Sequence, residues 1–177
     1  LALVDNDTVS LTNINRQSIA LHSTVGRYKT QVMKEKIADI NPRCNVSPLE
    51  TFVLPDNLEE LFGQIGPVDY ILDAIDTVTA KLALIVYAQS HDIPIVASMG
   101  TGNKLHPELF QISDIYKTSV CPLCKVMRRE LKARQVKKLT VCWSPELPLT
   151  PGPTEEDTGA RRATPGSIAF VPPVAGL

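Results

Sequence analysis

An α/β fold built on a mostly parallel sheet, with helices on both faces, is predicted by three features of the chain. Short apolar runs recur at Leu1–Val4, Val68–Asp76 and Ile93–Ser98. Stretches of helical periodicity separate them, and the connections between the two are short. Strand and helix in alternation leave the strands parallel and cover the sheet. The 177 residues fit one domain by length, with 44% apolar and 21% charged residues. A formal charge of −1 gives no global pull toward nucleic acid or membrane, so such a contact must be a local patch. No apolar run reaches the ~20 residues of a membrane span, no signal peptide heads the chain, and four irregularly placed cysteines do not suggest a secreted framework. The expected location is cytoplasmic.

Leu1–Val4 reads as a buried strand that ends on Asp5-Asn6-Asp7. In open α/β sheets ligands sit beyond the carboxyl ends of strands, where a carboxylate such as Asp5 can accept hydrogen bonds from a ribose. Asn13-Ile14-Asn15-Arg16-Gln17 follows as a loop of amides around one guanidinium, whose planar fork suits phosphate oxygens. Together they point to a nucleotide.

A helix is expected from about Arg27 to Ile40, with Met33, Ile37 and Ile40 as its apolar stripe and Asn41-Pro42 as its stop. Lys29 lies in its first turn, where an ammonium opposes the helix dipole unless an anion is near. Lys36 flanks the stripe as a structural lysine. A strand over Cys44–Phe52 and a helix over Pro55–Ile65 come next, the latter with Leu58, Leu61 and Phe62 inward. The strand Val68–Asp76 is expected to deliver Asp76 to the same sheet edge as Asp5, where paired carboxylates suit Mg²⁺ on phosphates. Asp76 is equally suited to cap the helix Thr77–His91, whose stripe is Leu82, Ile85 and Val86; Asp73 reads as structural. After the strand Ile93–Ser98, glycines at 100 and 102 permit a close backbone approach.

Cys121-Pro122-Leu123-Cys124 has the spacing of half a zinc site, but only Cys142 follows, so a redox pair or buried thiols compete with a metal. The helix Leu123–Arg134 carries Leu123, Val126, Met127 and Leu131 on one stripe. Its other faces hold Lys125, Arg128, Arg129, Lys132 and Arg134: either a solvated face or a phosphate-tracking patch for RNA. Residues 144–166, with prolines at 145, 148, 151, 153 and 165, are expected to form a mobile crossover loop, and Ser167–Val171 a returning strand.

The pattern Asp5, Asp7, Val9, Asn13, Asn15-Arg16-Gln17 resembles the opening signature of the ubiquitin-activating-enzyme-like superfamily of ATP-dependent adenylating enzymes. Further along, Ser23-Thr24-Val25-Gly26 ahead of Lys29, the Asp73–Asp76 segment DAID, Gly102-Asn103-Lys104, Asp114–Thr118 and Pro165–Pro172 resemble one branch, the tRNA threonylcarbamoyladenosine dehydratases. The resemblance implies a Rossmann-like domain over residues 1–177 that binds ATP and Mg²⁺. Asp5 would serve the ribose, Arg16 and Lys29 the phosphates, and Asp76 the metal region. Asn13 and Gln17 would order the loop, and Asp7 would join either the metal or the loop. The implied partners are a modified tRNA, a second copy in a homodimer and, in sulfur-mobilising relatives, a sulfur-transfer protein. Three other readings stay open: adenylation of a ubiquitin-like sulfur carrier, an inactive nucleotide-binding module, and a nicotinamide-dependent dehydrogenase. The superfamily's glycine-rich phosphate turn is not found, and the chain opens without Met, so an internal fragment incomplete at both ends is expected.

Overall fold

The computed structural model describes residues 1–150 and 170–176. Length reads as one domain; the described residues form two compact units, Leu1–Asp69 and the stretch from Tyr70 onward. The division follows the hydrogen bonding. In the first unit β1 (Ala2–Val4) pairs in parallel with β2 (Ser47–Leu49), while β3 (Ile71–Asp73) heads a separate sheet of the second. Asp5 and Asp76 therefore leave strands of two different sheets, not one edge of a single sheet.

In the first unit, β1 runs through a long ordered loop into α1 (Lys29–Ile40). The loop is tied to itself around Val9, whose N–H donates to Arg27 O and whose carbonyl accepts the Gly26 N–H, each at 2.8 Å. Gly26 holds φ +87°, a conformation that costs glycine little. Val9, Ile19, Ala20 and Val32 make the small core here, with Ile14 and Met33 packed on it. The stripe expected of α1 is displaced accordingly: Val32 and Thr30 are buried, Met33 and Ile37 half-buried, and Ile40 is exposed. The loop packs on the first turns of the helix and leaves its last turn to solvent. The strand expected over Cys44–Phe52 shrinks to β2, because Phe52 finds no core and stays exposed. Pro48, which cannot donate to a ladder, fits that edge position. Helix α2 (Leu58–Ile65) buries Leu58 and Leu61 as expected.

The second unit is a four-stranded sheet in the order β3-β4-β6-β5, with β4 at Ile95–Ser98, β5 at Gln111–Asp114 and β6 at Thr140–Trp143. β3, β4 and β6 are parallel; β5 runs antiparallel to β6. Helices α3 (Val78–Ser90) and α4 (Pro122–Ala133) share one core, with Ile85, Met127, Leu131 and Val141 wholly buried in it. On α3 the expected Leu82 and Ile85 are buried and Val86 is partly exposed. Strands β5 and β6 are not anticipated by the sequence reading. The strand expected to run to Asp76 stops at Asp73, whose Oδ1 accepts the Ile75 N–H at 3.0 Å and turns the chain out of the sheet. The N-cap of α3 is Thr77, not Asp76.

Most of the expected crossover loop lies outside the described residues, as do 167–169 of the returning strand; Val171 begins a short helix, α5 (Val171–Ala175). The loop's first residues are anchored. Ser144 is buried, and Glu146 accepts the N–H groups of Leu105 and His106 at 2.8 and 3.1 Å. Among the described residues no helix is long and apolar enough to cross a membrane.

Candidate functional site

The loop that leaves β1 gathers the expected nucleotide ligands of the first unit. Asp5 still donates its N–H to Leu49 O of the ladder, and its Oδ1 accepts the Asp7 N–H at 2.8 Å, a tight carboxylate turn. Asp7 then meets the head of α1. Its Oδ2 lies 2.7 Å from Lys29 Nζ, and its carbonyl accepts the Lys29 N–H at 3.0 Å. Tyr28 supplies no side-chain cap to that helix end, and its first turn has no acidic residue. Lys29 is thus an ammonium in an unfavourable first turn, steadied by one exposed carboxylate. A phosphate would satisfy the same two demands.

Asn13 is buried and its Oδ1 accepts the Ser10 N–H at 3.1 Å, a bond within the loop. Arg16 folds back on that loop, donating from Nη1 to Thr12 O at 2.8 Å and Asn15 Oδ1 at 3.0 Å. Gln17 holds its place through its N–H to Asn13 O, yet its side-chain Oε1 is buried with no hydrogen-bond partner among the described residues. A buried acceptor left unpaired costs ~1–3 kcal/mol, which a ligand donor would recover. Thr30 Oγ1, beside Lys29, is also buried and without a partner among the described residues; a hydroxyl next to a first-turn lysine is a signal the sequence offers for it.

In the second unit Asp76 stands exposed between β3 and α3, accepting among the described residues only a long contact from Thr77 Oγ1 at 3.4 Å. A lone open carboxylate suits Mg²⁺, which keeps most of its shell as water and phosphate oxygen. Behind it lies a pair that the sequence pattern does not reveal. Lys81 and Asp73 are wholly buried, with Nζ 2.7 Å from Oδ2. Burial pushes the Asp73 carboxyl up and the Lys81 ammonium down, each against the pull of the other's charge.

Helix α4 presents Lys125, Arg129 and Lys132 to solvent along one face. Arg128 is half-buried and donates to Thr118 O at 2.9 Å and to the Thr118 hydroxyl, so its charge also braces the fold. Glu130 takes Arg129 at 2.8 Å and Arg134 at 2.9 Å, which holds its carboxyl below the usual range, Arg134 contributing most. Cys121 caps the same helix, its sulfur accepting the Cys124 N–H, and both thiols are buried and free. Among the described residues no group of three or more metal-binding side chains surrounds them or any other point. Cys142 is buried in β6, and burial pushes its thiol up toward inertness.

The ThiF family model matches residues 1–169. The tRNA threonylcarbamoyladenosine dehydratase of Bacillus subtilis strain 168 is 42% identical over the whole of this chain, which spans 72% of its length. The enzyme of the same name from Escherichia coli K12 is 41% identical over 75% of the chain and 49% of its own length. The crystal structure of an E. coli tRNA N6-threonylcarbamoyladenosine dehydratase in complex with ATP superposes with a TM-score of 0.85 at 34% identity, covering 99% of this chain and 70% of that one. The chain belongs to the ThiF family, and within it to the tRNA threonylcarbamoyladenosine dehydratases.

Proposed function

We propose that this chain is the ATP-dependent adenylating part of an enzyme that dehydrates, and so cyclises, N6-threonylcarbamoyladenosine in tRNA. The observation that carries the reading is the match to the B. subtilis dehydratase along every part of the chain. The chemistry is carboxylate activation. A carboxylate oxygen of the threonylcarbamoyl group attacks Pα of ATP and pyrophosphate leaves. A nitrogen of the same group then attacks the acyl carbon of the adenylate, loses its proton and expels AMP as the ring closes. One carboxylate oxygen departs on AMP, which balances the loss of water.

The protein's task is positioning and charge cancellation. In this reading Asp5 accepts from the ribose, Arg16 and Lys29 cancel phosphate charge, and the unpaired Gln17 Oε1 takes a nucleotide donor. Asn13 keeps the loop rigid, and Asp7 releases Lys29 to the phosphates as ATP arrives. Asp76 would hold Mg²⁺ carried in on the triphosphate. The face Lys125, Arg128, Arg129 and Lys132 would track tRNA phosphates, with Arg128 limited by its bonds to Thr118. A homodimer in the cytoplasm, where tRNA resides, completes the proposal.

The test is AMP release from ATP with tRNA bearing the threonylcarbamoyl group, against unmodified tRNA. Release that depends on the modification is expected. No release, with pyrophosphate exchange driven instead by a small ubiquitin-like protein, would move the chain to sulfur-carrier adenylation and bring in a sulfur-transfer partner.

A further inference from the structure

Lys81 lies on the first turns of α3, yet its side chain reaches back to the sheet rather than out to solvent. Its Nζ donates to Asp73 Oδ2 at 2.7 Å and to Ser98 O at 3.0 Å, and it has no exposed surface. Asp73 is the last residue of β3 and Ser98 the last of β4, and those neighbouring strands are in register, Asp73 opposite Ala97. One buried ammonium therefore ties together the carboxyl ends of two parallel strands. Asp73 passes the constraint on. Its second oxygen accepts the Ile75 N–H at 3.0 Å, and Ile75 immediately precedes Asp76. On the other side, Ser98 immediately precedes the Met99–Lys104 loop with its glycines.

Ligands of open α/β sheets are met by the loops that leave such strand ends. A buried ion pair is a poor means of gaining stability, since a well-packed apolar pair of the same volume is often as good. Its value here is directional. The charge of Asp76 also acts favourably on Lys81, so the exposed carboxylate and the buried ammonium share a field. We propose that Lys81 is a positioning residue of the adenylation site: through Asp73 and Ser98 O it sets the Asp76 turn and the Met99–Lys104 loop as one rigid unit. The inference rests on the reading of Asp76 as a metal-side residue of that site.

The experiment compares the wild type with Lys81→Met and with the neutral pair Asp73→Asn/Lys81→Met. Lys81→Met alone strands a buried carboxylate and should lower the melting temperature; the double variant removes both charges and should recover most of it. Loss of positioning predicts that the double variant, though folded, keeps a kcat for AMP release about tenfold or more below wild type, with KM for ATP within about twofold. Amide exchange at 74–77 and 99–103 should be faster in it. A double variant with wild-type kcat and exchange would overturn the proposal and leave the pair as packing. Should neither variant fold, the wild type carries the test: ATP with Mg²⁺ must slow exchange in both segments together, and protection of 74–77 alone would overturn the linkage. Wild-type protein that releases no AMP with modified tRNA would instead count against the reading of the site, because the exchange results do not depend on the tRNA.

Discussion

The ammonium of Lys29 sits 2.7 Å from the carboxylate of Asp7, with Lys29 mostly buried and Asp7 mostly open to solvent. A cation held this way is presented rather than consumed, because its partner can be exchanged for another anion at small cost. Lys29→Ala should lower kcat/KM for ATP by about a hundredfold, the loss typical of one charge-stabilising group, while thermal stability changes little. Asp7→Asn separates two roles. If Asp7 only restrains Lys29, affinity for Mg²⁺-free ATP rises several-fold and turnover survives. If Asp7 also helps to hold the metal, that affinity rises but Mg²⁺-dependent turnover falls. Equilibrium binding with and without Mg²⁺, beside steady-state kinetics, distinguishes the two.

Arg16 is braced by Thr12 O and Asn15 Oδ1, so its guanidinium is oriented before any ligand arrives. Both bonds leave one nitrogen, Nη1, so the rest of the planar fork stays available to a phosphate; replacement by lysine keeps the charge and loses that fork. Arg16→Lys should therefore cost nearly as much in kcat/KM as Arg16→Ala, on the order of tenfold to a hundredfold. Kinetics with both variants check this; a lysine variant of nearly full activity would show that charge alone suffices.

The loop from Asp5 to Gln17 was legible in the sequence because its polar residues are dense, closely spaced and each limited in what it can do. Asn13 ordering the turn is a local bond to Ser10, three residues away, and local bonds are what spacing encodes. The Lys81–Asp73 pair was not legible, because a lysine three residues into an apolar helix reads as a surface lysine until the ends of β3 and β4 are seen to converge on it. The α1 stripe holds at Met33, which packs on the core, and fails at Ile40 for a related reason. Periodicity finds an apolar face, but only the packing of Val9, Ile19 and Ala20 decides that Val32, not Ile40, is covered. Strand β5, Gln111-Ile112-Ser113-Asp114, holds one apolar residue in four, so no apolar run marks it as one marks β1, β3 and β4.

Leu131 is wholly buried in the core shared by α3, α4 and the sheet of the second unit. Leu131→Ala should destabilise by about 2–5 kcal/mol, the cost of lost contacts plus the cavity left behind. Chemical denaturation should show a lower midpoint with an unchanged slope. Lys132→Ala, the next residue but exposed, should stay within about 0.5 kcal/mol.

Glu130 sits between Arg129 and Arg134 and neutralises part of the basic face of α4. Glu130→Gln should loosen Arg129 and remove the neutralising charge beside Arg134, which keeps its bond to the Glu130 carbonyl at 2.8 Å, and so strengthen tRNA binding with a steeper dependence on salt. Each added phosphate contact steepens the log–log salt slope by about 0.7 to 0.9. Lys125→Ala and Lys132→Ala should weaken binding and flatten the slope by a similar amount each. Titrations at several salt concentrations measure this directly. Slopes that do not move in any of the three variants would return α4 to an ordinary solvated helix.

Cys121 has the surroundings of a thiolate. The Cys124 thiol donates to it, and the N–H groups of Cys124 and Leu123 at the head of α4, with the charge of buried Lys104, add to that effect against the opposing cost of burial. Its pKa is lowered to about 6 from an ordinary 9.0, and the Cys124 thiol is raised. The folded state thus gives up the Cys121 proton more readily than the unfolded chain. The stability this supplies is complete above pH 9 and is lost as pH falls through about 6, so between those limits stability should rise with pH. The raised Cys124 works in the opposite sense only at higher pH, where the folded chain holds its proton longer. Thiolate absorbance near 240 nm should titrate with a midpoint close to 6 in the wild type and vanish from that range in Cys121→Ser. Melting temperatures at pH 5.5, 7 and 9 should rise more steeply for the wild type than for the serine variant. Equal slopes in the two proteins would mean that Cys121 remains a neutral buried thiol.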